Sequence, residues 1–326
     1  MNIISMNIIK RFVAVVALGS VLVLGACSSS GEPVTKASGG GSDAKGGAPI
    51  IGFSISTLQN PFFVSMQEGV RAAGKKAGVQ VLVADAGDDA SQQANDVLNF
   101  ISQKVDVAIL NATDGDAIVS SVEALNDAGI PVITVDRRAE GGEVVAHIGT
   151  DNVVAGEIAA KTLFEAMGGK GRVGVLEGVP GVSSCIDRGK GFKNVLSDYP
   201  GIKIVGTQTA NFQRSEGLTV AQNMLEANPD LEAFLSMNDE MALGAVEAMR
   251  TANRLGEVAI IGIDGGPDAV KAVKNGELVA TIAQQSKLMG SLSVEQALLL
   301  ADGKKIKAEQ PIDVIVIDKS NVDKYL

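Results

Sequence analysis

The chain has 326 residues, enough for two domains at roughly 150 residues each. Hydrophobic residues make up 46% and charged residues 20%, so it can bury a sizeable core and is neither disordered, collagen-like nor a multi-span membrane protein. The 28 Lys and Arg against 38 Asp and Glu give a net charge of -10 with no basic stripe past residue 12, which argues against a nucleic-acid partner; one His and two Cys form no metal cluster.

The first 27 residues read as an address. Lys10-Arg11 closes a short positive head, residues 12–24 are apolar, and Leu24-Gly25-Ala26-Cys27 places small residues before a cysteine. This resembles the bacterial lipoprotein signal, in which residues 1–26 are removed and Cys27 is lipidated. It implies an extracytoplasmic protein, lipid-anchored to a bacterial membrane on the periplasmic side or at the cell surface. The apolar run is too short for a spanning helix, which needs ~20 residues. Residues 27–48 then form the lipidated cysteine and a Ser/Gly-rich tether with an r.m.s. reach of about 25 Å. Cys185 stands alone, so the body must be held by packing; it reads as a small buried apolar residue.

From Pro49 the pattern alternates. Strands are predicted over 50–56, 80–84, 107–111, 131–136, 172–177, 203–207, 233–237, 259–264 and 279–283. Helical segments are predicted over 61–77, 90–103, 116–128, 152–167, 215–227, 240–252 and 289–301. Apolar strands separated by helices indicate doubly wound α/β architecture with parallel sheets covered on both faces.

Such sheets bind ligands beyond the carboxyl ends of their strands. There stand Asn60-Pro61-Phe62-Phe63, with Asn60 placed to cap a helix; Asp136-Arg137; Asn238-Asp239-Glu240; Asp264-Gly265-Gly266; and Gln284. Three tempting motifs fail. Gly169-Lys170-Gly171-Arg172-Val173-Gly174 fits G-x-G-x-x-G but lies between a helix and a strand, the wrong order for a dinucleotide site, and reads as a turn. Asp85-Ala86-Gly87-Asp88-Asp89 lacks the EF-hand spacing and reads as a helix cap. His147, in an alternating apolar strand over 144–148, reads as structural. No P-loop, G-x-S-x-G or cofactor motif occurs. Planar carboxylate, guanidinium and amide groups can each bond two neighbouring hydroxyls, and aromatic faces can cover C–H patches, so this set suits a neutral polyol.

The blocks Ser56-Thr57-Leu58-Gln59-Asn60-Pro61-Phe62-Phe63-Val64-Ser65, Pro131-Val132-Ile133-Thr134-Val135-Asp136-Arg137, Asn238-Asp239-Glu240-Met241-Ala242-Leu243-Gly244-Ala245 and Ala280-Thr281-Ile282-Ala283-Gln284 resemble the periplasmic ribose-binding proteins. The similarity runs from about residue 50 to 316. It implies the type I periplasmic-binding fold, two doubly wound parallel-sheet lobes joined by a three-segment hinge, with lobe one at 50–150 plus 285–312 and lobe two at 151–284 plus 313–326. Carried over by position, the ligand contacts are Asn60, Phe62, Phe63, Asp136 and Arg137 from lobe one, Arg188, Phe212, Asn238 and Asp264 from lobe two, and Gln284 at the second crossing. Cys185-Ile186 departs from the Ala-Arg often found there in the family.

The resemblance implies a monomeric, non-enzymatic receptor that closes on D-ribose and hands it to an ABC permease with its ATPase, with a chemotaxis receptor as a further partner and no cofactor. Rival readings are a receptor for allose, xylose or a furanosyl quorum signal, and the effector domain of a lactose-repressor-type regulator, which would need a helix-turn-helix in place of the signal and tether. A sugar-processing enzyme would use Asp136 or Asp264 as acid or base; the arginines expected beside each carboxylate would instead keep it ionised.

Overall fold

In the computed structural model, residues 47–326 are described. The signal segment, Cys27 and all but the last residues of the tether lie outside the described residues.

The first sheet runs in the order β11-β5-β4-β3-β1-β2. Its strands are β1 (Ile50–Ile55), β2 (Gln80–Asp85), β3 (Val107–Leu110), β4 (Val132–Val135), β5 (Ala146–Thr150) and β11 (Glu309–Ile312). Every neighbouring pair in it is parallel. On one face pack α1 (Pro61–Ala77) and α9 (Ser286–Ala301), on the other α2 (Ala90–Ser102) and α3 (Val119–Asp127). With helices on both faces, β3 and β4 are buried at every position.

The second sheet is built the same way, in the order β12-β10-β9-β8-β6-β7. It comprises β6 (Lys170–Glu177), β7 (Gly201–Thr209), β8 (Ala233–Ser236), β9 (Ala259–Asp264), β10 (Ala280–Ala283) and β12 (Ile315–Asp318), the last antiparallel to β10. Its helices are α4 (Asn152–Ala166), α5 (Ser183–Leu196), α6 (Arg214–Ala227), α7 (Asp239–Thr251) and α8 (Pro267–Asn275). The chain passes from the first sheet to the second after β5, returns after β10, and crosses again between β11 and β12.

Two α-helices and two strands, α5, α8, β11 and β12, have no counterpart among the predicted elements, and β5 has one only in the alternating strand around His147. Helix α5 carries Gly189 and Gly191, which lower helix propensity by roughly 1 kcal/mol each relative to Ala. The glycine at 191 is a packing device, because a Cβ there would stand 2.2 Å from the Val153 carbonyl of α4, and one at Gly156 would stand 2.5 Å from the Arg188 carbonyl. Helix α8 has only nine residues, framed by Pro267 at its start and Gly276 in the left-handed region at its end. Strands β11 and β12 are four-residue edges, β11 containing Pro311, which a central strand would not tolerate.

Gly168 and Gly169, with φ of 71° and 75°, make the turn between α4 and β6, whereas Gly171 and Gly174 of the motif already belong to β6. Asp89 caps α2, accepting from the Ser91 and Gln92 N–H groups. His147 is buried in β5 with Nδ1 2.9 Å from the Thr134 hydroxyl. Cys185 is buried on α5, its Sγ 3.5 Å from Met237 Sδ.

Candidate ligand-binding site

The carboxyl ends of β1, β4, β8, β9 and β10 converge where the two lobes meet. Asn60, Phe62, Phe63, Asp136, Arg137, Arg188, Phe212, Asn238, Asp264 and Gln284 all line one cavity there, with Ser184 as the eleventh lining residue. The side chains close on one another and leave about 20 Å³ between them, room for a single water, so a larger ligand needs the walls to part. A wider cleft open to solvent adjoins it and shares Asn60, Phe63, Arg137 and Phe212. The inner cavity is the candidate site because buried polar groups from both lobes converge on it.

Local structure explains each placement. Asn60 caps α1, its Oδ1 accepting from Phe62 N–H at 2.9 Å, and Pro61 occupies the first helical position. The turn this creates sets Phe62 and Phe63 edge-to-face, centroids 5.2 Å apart. Asn238 caps α7 through Oδ1 and donates from Nδ2 to the Phe212 carbonyl, holding the segment that presents the third ring. Phe212 itself lies at φ 60°, rare for a bulky residue, and a Cβ on Gly178 would stand 1.9 Å from its ring. Asp136 at φ 63° and Asp264 at φ 149° are likewise in sparsely populated backbone regions. Such residues cost of order 1–3 kcal/mol each and cluster at functional sites.

The two arginines are anchored differently. Arg188 donates from Nε to Asn152 Oδ1 at 2.9 Å and from a terminal nitrogen to the Met237 carbonyl. Two of its five N–H groups are thus used within its own lobe. Arg137, from lobe one, lies 4.9 Å from the Phe63 centroid and 5.9 Å from that of Phe212, so it is sandwiched between rings of opposite lobes.

Burial dominates the charges. It raises the Asp136 carboxyl above its ordinary value, with Arg137 and Arg188 pulling the other way. It pushes Asp264 well above the ordinary range, and the charge of Asp239 adds to the rise while Arg188 opposes it. The arginines pull both carboxyls toward the ionised form, as expected, but burial is the larger influence, and neither carboxyl takes its hydrogen bond from an arginine. Asp136 accepts from Asn111 Nδ2 at 3.3 Å and Asp264 from Gln284 Nε2 at 2.7 Å.

Sequence reasoning missed Asp239, Asn111, Asn152 and Ser184. Asp239 is buried behind Asp264, accepting from the Thr281 hydroxyl at 2.7 Å and the Gly266 N–H at 2.8 Å, and burial first of all raises its carboxyl to about 6. In the sequence it stands only within the strand-end block Asn238-Asp239-Glu240, where Asn238 alone was singled out. Asn111 joins three strand ends: its Oδ1 accepts from Ser56 N–H, while Nδ2 donates to the Val135 carbonyl and to Asp136. Asn152 and Ser184 touch the site from helix starts, and α5 was not expected as a helix.

Two doubly wound lobes, linked by three chain crossings and walling one polar cavity, define a two-lobe solute-binding protein of the type I periplasmic-binding fold. The chain belongs to the periplasmic binding protein family, whose domain profile matches residues 51–305. It is 41% identical over 298 residues to the ribose import binding protein RbsB of Bacillus subtilis (strain 168), covering 91% of this chain and 95% of that protein. RbsB of Escherichia coli (strain K12) is 39% identical over 269 residues, covering 82% of this chain and 90% of that protein. A solved ABC transporter periplasmic solute binding protein from Actinobacillus succinogenes 130z, with bound D-allose, superimposes with a TM-score of 0.81 at 35% identity, covering 85% of this chain and 100% of that one. These relatives are solute-binding proteins, and the chain is a non-enzymatic, extracytoplasmic member of their family.

Proposed function

We propose that this protein captures D-ribose between its two lobes and delivers it to an ABC importer. The observation that carries the reading is the convergence itself: three Phe rings, two arginines, two carboxyls and three amides, drawn from both lobes, line one cavity. The amides, guanidinium forks and carboxyls each meet hydroxyls in pairs, and the rings cover the sugar's C–H patches. Arginines and carboxyls in equal number leave a neutral ligand no unpaired charge when water is expelled. The two RbsB proteins, at 41% and 39% identity, support ribose as the particular sugar.

A sugar touches groups of both lobes only when they are closed, so it shifts the population toward that form. The moving bodies in this reading are 50–150 plus 285–312 and 151–284 plus 313–326, hinged at the three crossings. Cys27 lipidation would hold the receptor, as a monomer, beside its permease and within reach of a chemotaxis receptor. Labelling with a radioactive or alkyne fatty acid, lost in Cys27→Ala, tests the anchor.

Calorimetric titration of the protein with ribose, allose and xylose tests the substrate. Ribose is expected to bind most tightly. Tight binding of allose with none of ribose would overturn the sugar assigned and leave the class standing.

A further inference from the structure

On the hinge side of the cavity, one hydrogen bond joins the two elements that carry its charged groups. The backbone N–H of Arg138, two residues past Asp136, donates to Ser183 Oγ at 3.2 Å. Arg138 leaves β4 in lobe one; Ser183 opens α5 in lobe two, the helix that bears Arg188. The Arg138 end is braced, since its guanidinium grips both oxygens of Glu309 on β11 at 3.1 and 2.9 Å, beside the third crossing. That pairing also holds the Glu309 carboxyl below its ordinary value. The Ser183 end is rigid because α5 packs on α4 through Gly156 and Gly191. Val182, which caps α5, makes no side-chain cap bond, and Ser183 does not line the sugar cavity, whereas its neighbour Ser184 does. Close by, the lobes approach again at Gly181, where a Cβ would stand 3.0 Å from Asp114 Oδ2.

We propose that Ser183 is a positioning residue that latches the closed form: its hydroxyl accepts the Arg138 N–H when the lobes meet, fixing Asp136 and Arg137 against Arg188 without touching the ligand. The inference rests on the lobe closure proposed above. A bond made only in the closed state slows opening and leaves encounter unchanged, so it appears in koff. Opening the lobes exposes both groups to water, which limits the effect to that of one exchanged neutral hydrogen bond, about three- to tenfold.

The test is stopped-flow binding to the purified protein and to its Ser183→Ala and Ser183→Thr variants, using whichever of ribose, allose and xylose the wild type binds. Ser183→Ala is expected to raise koff about three- to tenfold with kon and the sugar-free melting temperature unchanged, and Ser183→Thr, which keeps the hydroxyl, to restore koff. A koff within about twofold of wild type in Ser183→Ala, a change confined to kon, or a Ser183→Thr variant that behaves like Ser183→Ala would overturn the latch. Binding of allose or xylose in place of ribose defeats only the ribose assignment and leaves the latch measurable. Binding of none of the three removes the functional reading and the latch with it.

Discussion

Gln284 and Asp264 share one hydrogen bond that leaves the amide half used. Gln284 Nε2 donates to Asp264 Oδ1 at 2.7 Å, which fixes the side chain, while its own Oε1 is buried with no protein partner. Gln284 is 1% exposed, so that oxygen is aimed at a ligand group or wasted. A sugar hydroxyl donating to it would complete the amide.

Gln284→Leu is therefore expected to weaken ribose binding by about 1–3 kcal/mol, the cost of leaving a buried polar group without its partner. It also strips Asp264 of its donor. Calorimetry reads the loss, and an affinity unchanged within about twofold would show that the amide oxygen faces no ligand.

Arg188→Ala removes the guanidinium whose charge moderates both Asp136 and Asp264. Binding should weaken by ~2–5 kcal/mol, most of it in koff. Because Arg188 also bonds Asn152 and the Met237 carbonyl, the sugar-free protein should melt at lower temperature as well. Surface plasmon resonance and a thermal melt separate the two effects; a loss in stability without a loss in affinity would place Arg188 outside the site.

Gly178→Ala tests the ring wall without touching a polar group. The added methyl overlaps the Phe212 ring, which has to swing away, so sugar affinity should drop at least about tenfold. Phe212→Ala in the same background should add little further loss, because the ring is already displaced. Additive losses would mean that Gly178 acts elsewhere.

Two buried groups give opposite pH dependences of stability. Burial lowers His147 from 6.5 to about 4, so its contribution is complete above pH 6.5 and is lost as pH falls through about 4. Burial raises Asp239 from 3.8 to about 6, so its contribution is complete below pH 3.8 and is lost as pH rises through about 6. Denaturant melts between pH 4 and 6.5 should then separate the variants: His147→Gln gains stability toward acid relative to wild type, and Asp239→Asn loses it. Parallel curves for the two variants would contradict both assignments.

The cavity was largely legible because strand-helix alternation, strong in the sequence, fixes where strands end, and a doubly wound sheet gathers those ends. Asn60, Asp136, Asn238, Asp264 and Gln284 all follow from that rule. Arg188 lies inside α5, and Phe212, just past the end of β7, was not singled out by that rule; only the family resemblance pointed to them. Helix α5 was hidden because the glycines that let it press against α4 also erase its helical signature. The upward shift of the Asp136 and Asp264 carboxyls was hidden for a different reason. Sequence shows which charges lie near in number, but not that Asp239 sits behind Asp264 or that desolvation outweighs the arginines.

The pairing of β11 with one sheet and β12 with the other has a consequence for biogenesis. Neither sheet gains that outer strand until residues 309–318 have been synthesised. Until then the β5 and β10 edges stay unpaired, and a partly built half with such an edge is the kind of species that aggregates.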